Sequence, residues 1–187
     1  MFKNGMEAKI KPRDKKIIVL IGIMGSGKTT TGFSLAQRLN LKFVDSDSEI
    51  EKKENKSVND VFVEKGEEYV KELEKDIVKK ILNANEPQVL SIGGDVFENE
   101  EVRKLIKRET ISVFLEVEFD TLLQRVRKRD TRYVLENGDK EEILREIFDK
   151  KTPIYREADI VVNVTYLNKE ITTNVIFNSL SQFIMDN

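Results

Sequence analysis

Residues 17–30 have the sequence IIVLIGIMGSGKTT, in which residues 22–29 match the pattern G-x-x-x-x-G-K-[ST]. The five aliphatic residues before the motif are typical of a buried strand. Residues 29–39 follow the motif and carry apolar side chains at helical spacing, namely Phe33, Leu35, Ala36 and Leu39. A strand, a glycine-rich turn and a helix in this order form the context in which the pattern binds phosphate groups.

The residue types of the motif suit phosphate chemistry. Its glycines let the backbone curl closely around an anion, and the loop amides and the helix N-terminus then face that anion. We expect Lys28 to reach the β- and γ-phosphates of ATP, and Thr29 Oγ1 to bind Mg²⁺. The predicted cofactors are therefore ATP and Mg²⁺, and the residues predicted to hold the nucleotide are Gly25, Ser26, Gly27, Lys28, Thr29 and Thr30.

The rest of the chain alternates predicted strands with predicted helices. The strands lie at 17–21, 41–44, 89–92, 111–117 and 159–164. The helices lie at 29–39, 67–83, 100–107, 120–128, 140–150 and 169–185, with short helical pieces in 46–66 and a turn at residues 93–94. This alternation predicts an α/β fold with a parallel sheet covered by helices on both faces. Ligands of such sheets bind at the carboxyl ends of the strands.

Composition narrows the chemistry that the protein can perform. The 187 residues contain no Cys and no His, which excludes disulfides, thiol nucleophiles, histidine bases and metal sites built on either residue. Carboxylates, Lys, Arg, hydroxyls and backbone amides remain. The length fits one domain, and we expect residues 1–14 to form a flexible extension and residues 15–187 a single domain.

The net charge and the hydropathy of the chain indicate which kinds of partner it binds. Lys and Arg number 32 and Asp and Glu 34, so the net charge of −2 gives no support for nucleic-acid or membrane attraction. The polar N-terminus lacks the apolar region of a secretory signal, and the longest apolar stretch is too short to span a membrane. We expect a cytoplasmic monomer that acts on a small molecule and binds neither nucleic acid nor membrane.

Asp45 and Asp47 follow the predicted strand 41–44. One carboxylate could help hold Mg²⁺ while the other orients an acceptor hydroxyl toward the γ-phosphate. Alternatively, the pair could simply cap a helix. The only run that resembles the guanine-binding N-K-x-D pattern, at 55–58, lacks its Asp, which favours a small-molecule kinase over a switch GTPase.

Six motifs in order, from about residue 16 to residue 164, resemble the shikimate kinase family: GIMGSGKTTTG, FVDSDSEIE, GEEYVKELE, LSIGGD, RDTRYVL and PIYREAD. This family consists of P-loop kinases of the nucleoside-monophosphate-kinase-like type, with a three-layer α/β/α fold, a five-stranded parallel sheet and a mobile lid. The resemblance implies transfer of the ATP γ-phosphate to the 3-hydroxyl of shikimate, in chorismate and aromatic amino acid biosynthesis. It also implies a substrate-binding segment at about 45–75 and a lid at about 128–140.

The resemblance assigns roles to individual residues. Asp45 matches the metal-side Asp, and Asp47 the Asp that binds shikimate and orients its hydroxyl. Arg132 matches the lid Arg that reaches the transferring phosphoryl group, and Arg125 the Arg that stacks on adenine. The implied catalytic residues are Lys28, Asp47 and Arg132, and the implied substrate-binding residues are Asp47, Lys71, Gly93, Gly94 and Lys151.

Three positions outside the lid depart from the family pattern. Lys71 and Lys151 stand where the family has arginines that grip the shikimate carboxylate, and Asp95 stands at the third place of a triple glycine. Lys keeps the charge of Arg but loses its bidentate fork. A negative charge at Asp95 should disfavour shikimate unless Asp95 points away or pairs with Lys71 or Lys151. The acceptor is accordingly predicted to be shikimate or a related small hydroxy acid. The alternatives are a gluconate-type kinase and an inactive ATP-binding regulatory module.

Overall fold

The structure, a computed structural model, describes residues 16–128 and 138–186. Its strands are β1 (Ile17–Ile21), β2 (Lys42–Asp45), β3 (Gln88–Ser91), β4 (Thr110–Glu116) and β5 (Ile160–Asn163). Its helices are α1 (Lys28–Leu39), α2 (Ser46–Glu54), α3 (Val58–Lys65), α4 (Glu67–Ala84), α5 (Gly94–Glu98), α6 (Glu100–Glu109), α7 (Phe119–Arg127), α8 (Lys140–Tyr155) and α9 (Lys169–Asp186). The predicted extension 1–14 and most of the predicted lid, including Arg132, lie outside the described residues.

The strands of the described chain form one sheet in the order β2-β3-β1-β4-β5, and every neighbouring pair is parallel. This confirms the predicted α/β fold with a five-stranded parallel sheet. The chain leaves β1 toward one edge of the sheet and leaves β3 toward the other. The carboxyl ends of these two neighbours therefore flank a topological switch point, which is where open α/β sheets bind their ligands.

Helices cover both faces of the sheet because the crossovers run in opposite directions. Right-handed crossovers place α1 on one face, and place α4, α6 and α8 on the other. The contacts agree, since α1 packs against α9, whereas α4 contacts α6 and α8 contacts both α5 and α7. The three-layer α/β/α architecture is thus confirmed.

The central strands are buried on both faces, which explains their continuous apolar sequences. Every residue of β1 and β3 is buried, and β4 is buried along all but its last residue. Tyr155, at the end of α8, is fully buried, and its ring makes edge contacts with Phe97 and Phe114 at centroid distances of 6.1 and 5.5 Å. The end of α8 is therefore packed firmly over β4.

Two elements differ from the sequence prediction. The expected turn at Gly93 and Gly94 leads directly into the short helix α5. The predicted helix 140–150 continues as α8 to Tyr155, although Pro153 lies within it. A proline inside a helix removes one backbone hydrogen bond, but burial of Thr152 and Tyr155 favours continuing the last turn over unwinding it. In the described part of the chain, no helix is both long enough and apolar enough to cross a membrane.

Candidate active site

The loop between β1 and α1 has the geometry of an anion-binding turn. Gly25 and Gly27 adopt φ values of 82° and 94°, a region that side chains with a Cβ atom rarely occupy. Lys28 begins α1, and its Nζ donates to the Gly22 carbonyl at 2.7 Å across the loop. The first turn of α1 contains no acidic residue, and no described side chain caps it. Its amides and positive dipole end are therefore available to an anion.

Asp45 joins the end of β2 to this loop. Its Oδ2 accepts a hydrogen bond from Thr29 Oγ1 at 2.8 Å, and its Oδ1 accepts from the Asp47 amide at 3.1 Å. Asp45 therefore caps α2 and also faces the residue predicted to bind the metal. Capping of a helix and a position on the metal side, the two alternatives left open by the sequence, are both compatible with this arrangement.

The oxygen atoms of Thr29 and Asp45 suit a hard cation such as Mg²⁺, which binds through few protein oxygens and keeps several waters. Among residues 16–128 and 138–186 no group of three or more acidic side chains is arranged to hold a metal ion. A cation at Thr29 and Asp45 would therefore need phosphate and water oxygens to complete its shell.

A cleft of about 250 Å³ opens beside the phosphate loop, at the carboxyl edge of the sheet. Lys28 lies on its nucleotide side, and Lys71 of α4 and Lys151 of α8 line it as well. The structure thus brings together three lysines that are far apart in the sequence, and Lys150 lines the cleft beside Lys151. Other residues that line the cleft include Gly22, Glu67, Gly94, Asp95, Glu146 and Tyr155. Asp47 lies half-buried on the first turn of α2, two residues after Asp45.

Glu74 ties together three elements around this cleft. The side chain is only 6% exposed. Its Oε1 accepts from the Gly93 amide at 2.6 Å and from the hydroxyl of Ser46, which itself accepts from the Gly93 amide at 3.2 Å. The starts of α2 and α5 are thereby fixed to the middle of α4.

Replacing Glu74 with alanine should destabilise the fold, because the Gly93 amide and the Ser46 hydroxyl would lose a buried acceptor. Each such group costs on the order of 1–3 kcal/mol, so we expect the free energy of unfolding to fall by about 3 kcal/mol. Glu74→Gln keeps an oxygen acceptor of the same shape and should lose less than half as much. Urea unfolding of both variants measures the difference, and equal losses would contradict the assigned hydrogen bonds.

Asp95 pairs with Lys151, one of the two partners expected for it. The Lys151 ammonium contacts Asp95 Oδ1, and Glu98 Oε1 lies 2.6 Å away from the same nitrogen. Burial acts to raise the pKa of Asp95, but the charge and hydrogen bond of Lys151 and the charge of Lys71 lower it below its ordinary value. Asp95 is therefore ionised at neutral pH.

Lys71 has a partner closer in sequence, since its Nζ lies 2.6 Å from Glu67 Oε1, one turn earlier on α4. Burial acts to lower the pKa of Lys71, but the hydrogen bond to Glu67 and the charges of Asp95 and Glu98 raise it above its ordinary value. The cleft therefore presents Lys71 as a cation.

Gly94 is required by close packing. A Cβ atom at this position would lie 2.2 Å from the Tyr155 hydroxyl and 3.3 Å from Lys151 Nζ. Any larger residue would push the end of α8, and Lys151 with it, away from the sheet. Gly94 therefore keeps Lys151 close to the carboxyl end of β3.

Arg125 contacts the phosphate loop. From α7, its guanidinium donates to the Gly25 carbonyl and to the Thr165 carbonyl, both at 3.1 Å. Arg125 therefore lies beside the phosphate loop, and its role in nucleotide binding stays a prediction. The two hydrogen bonds also connect the phosphate loop to the segment that follows β5.

Sequence reasoning missed three residues that shape the site, namely Ser46, Glu98 and Thr165. Ser46 stands between the two aspartates and carried no signal other than that position. Glu98 lies in an acidic run that suggests a solvated surface, yet its side chain is only 15% exposed. Thr165 acts through its backbone carbonyl, which no sequence pattern identifies.

Comparisons with known proteins agree with this geometry. The family model SKI: Shikimate kinase matches residues 24–181. A shikimate kinase of Cereibacter sphaeroides is 38% identical over 154 residues, which cover 82% of this chain and 77% of the relative. The solved structure of shikimate kinase from Acinetobacter baumannii in complex with shikimate superposes with a TM-score of 0.82 at 29% identity, covering 91% of this chain and 96% of that one.

A gluconokinase from Sinorhizobium meliloti shares the fold with a TM-score of 0.64, over 92% of this chain and 95% of that one. Its sequence identity is only 17%, so this likeness concerns the fold alone. The family model, in contrast, spans most of the chain. The chain belongs to the shikimate kinase family.

Proposed function

We propose that the protein transfers the γ-phosphoryl group of ATP to the 3-hydroxyl of shikimate and releases ADP and shikimate 3-phosphate. The observation that carries this proposal is the cleft beside the phosphate loop, because Lys28 lines it together with Lys71 and Lys151. A phosphate-binding cation and further lysines around one small cavity suit a reaction between a nucleotide and a small anionic acceptor.

ATP would dock on residues 25–30. The loop amides, the N-terminus of α1 and Lys28 would hold the phosphates and stabilise the charge that develops on them in the transition state. Mg²⁺ would be held by Thr29 Oγ1 and, directly or through water, by Asp45. The distance between Thr29 Oγ1 and Asp45 Oδ2 is 2.8 Å. Bound there, the cation would neutralise charge on the β- and γ-phosphate oxygens. Arg125 would stack on the adenine.

The acceptor would occupy the rest of the cleft. Lys71 and Lys151 would attract its carboxylate, and its ring would contact the backbone at Gly93 and Gly94, which pack closely against Glu74 and Tyr155. Asp47 would accept a hydrogen bond from the acceptor hydroxyl and aim its oxygen at the γ-phosphorus. Because the transition state of phosphoryl transfer is loose, this orientation matters more than strong basicity.

The segment at about 128–140 would close over the bound substrates and bring Arg132 to the transferring phosphoryl group. Closure would exclude water, which protects ATP from hydrolysis and strengthens the charge contacts. The protein would act as a cytoplasmic monomer on small molecules, without nucleic-acid or membrane partners. It would consist of the extension 1–14 and a single domain of residues 15–187.

Acceptor-dependent ADP release tests this function. With ATP and Mg²⁺, we expect rapid release with shikimate, and at least about 100-fold lower kcat/KM with quinate or gluconate, a difference of about 2.7 kcal/mol. A preference for gluconate would transfer the assignment to a sugar-acid kinase. ATP binding without release for any acceptor would indicate a regulatory module instead.

A further inference from the structure

Resting on the proposed function, we propose that Asp95 is a specificity-determining residue that competes with the acceptor carboxylate for Lys151. In the absence of acceptor, the Asp95 carboxylate forms an ion pair with the Lys151 ammonium, which the acceptor carboxylate would also bind. The acceptor carboxylate then binds by exchange, taking the place of Asp95 at Lys151. Asp95 thereby sets the affinity and the charge preference of the acceptor site.

The position of Asp95 makes this exchange possible. Asp95 lines the same cleft as Lys28, Lys71 and Lys151, and its side chain is 35% exposed. Asp95 follows Gly94 in the first turn of α5, and both Asp95 and Lys151 line the cleft, so their ion pair can be reached from the cavity. A carboxylate from solution can therefore reach the ammonium by the same route.

Glu98 supplies a second and less exposed carboxylate beside Lys151. Its Oε1 lies 2.6 Å from Lys151 Nζ, and its side chain is only 15% exposed. Glu98 lines only a neighbouring cavity, whereas Asp95 lines both that cavity and the cleft. Lys151, with a side chain 12% exposed, would keep this buried partner while it exchanges the other. The ammonium therefore stays in place when Asp95 releases it.

The charges of the cleft explain why the exchange affects affinity. Lys71 is paired with Glu67 and Lys151 with Asp95, so both acceptor-binding cations already have internal counter-charges. An acceptor that must break an internal ion pair binds more weakly, in proportion to the fraction of molecules in which that pair is open. The more buried pair, that of Lys151, contributes most because its charges are less screened.

The test compares two ligands on three proteins by calorimetry in the presence of ADP and Mg²⁺. The ligands are shikimate and its methyl ester, which lacks the charge. The proteins are the wild type, Asp95→Asn and Glu146→Gln. Glu146 lines the same cleft from an exposed position on α8, so Glu146→Gln removes an equal charge without altering the contacts of Lys151.

For Asp95→Asn we expect the shikimate dissociation constant to fall by about tenfold, equal to about 1.4 kcal/mol, with the ester constant changed less than twofold. For Glu146→Gln, which alters the field of the cleft without freeing Lys151, we expect a gain for shikimate of at most about threefold, as for an exposed charge, and an ester constant changed less than twofold. An unchanged shikimate constant in Asp95→Asn would overturn the proposal. An equal gain for the ester, or from Glu146→Gln, would overturn it too, because the effect would then come from shape or from the general field.

A second variant and a turnover assay distinguish failure of the exchange from failure of folding or of the proposed function. If Asp95→Asn lowers the melting temperature strongly, Asp95→Ser carries the same expectation, since it also removes the carboxylate and keeps a polar side chain. Normal turnover of shikimate with an unchanged constant in the Asp95 variants overturns the exchange alone. Absence of both binding and turnover in all three proteins overturns the proposed function, and the exchange with it.

Discussion

Lys28→Met is expected to lower kcat by about 10³-fold while the protein stays folded. The substitution removes the cation that would stabilise charge on the transferring phosphoryl group, and loss of a single such group typically costs 10²–10³-fold in rate. Lys28 contacts the Gly22 carbonyl at 2.7 Å, so the variant also loses one hydrogen bond within the loop. That loss costs only about 1 kcal/mol of stability.

Steady-state kinetics of Lys28→Met and of Lys104→Met provide the comparison. Lys104 is exposed on α6, where it pairs with Glu100 one turn away. Its replacement removes an equal charge far from the cleft and should leave kcat unchanged. If folded Lys28→Met turned over within tenfold of the wild type, the proposed role of the phosphate loop in catalysis would be contradicted.

Asp47→Asn should lower kcat by about 10²-fold, with a smaller effect on the KM for ATP. The amide has the same shape as the carboxylate but is a poorer acceptor for the substrate hydroxyl, and such groups contribute about 10²–10⁴-fold to rates. The fold should tolerate the change, because Asp45 and not Asp47 supplies the side chain that caps α2.

Glu49→Gln is the matched control for Asp47→Asn. Glu49 also lies in the first turn of α2, where it pairs with Lys52 at 2.6 Å. Both variants remove one negative charge near the helix N-terminus, which costs roughly 0.3–1 kcal/mol of stability in either case. Equal kinetic effects from the two substitutions would show that Asp47 contributes only to the helix.

Local sequence patterns predicted most of the fold. Aliphatic runs identified the five strands of the described chain, and these runs are continuous in β1, β3 and β4 because those strands are buried on both faces. The short helix α5 was missed because one glycine precedes it, another begins it, and its five residues are too few to reveal a helical period. The last turn of α8 was missed because burial of Tyr155 outweighs the local effect of Pro153.

The nucleotide side of the candidate site could be predicted from the sequence, whereas the acceptor side could be predicted only in part. The nucleotide loop is contiguous in sequence, so its pattern and its spacing are visible without a structure. The acceptor side depends on pairs that are distant along the chain, such as Lys151 with Asp95, which are 56 residues apart. The sequence left two lysines as partners for Asp95, and only the packing of α5 against α8 selects Lys151.

Identification of the reaction product tests the central claim most directly. After incubation with ATP, Mg²⁺ and shikimate, a phosphorus–proton correlation spectrum of the product locates the new phosphate ester. We expect the phosphorus to couple to the proton on carbon 3 of the ring, with one ADP formed for each ester. An ester on another hydroxyl, or ADP formed with only inorganic phosphate, would contradict the proposed arrangement of nucleotide and acceptor.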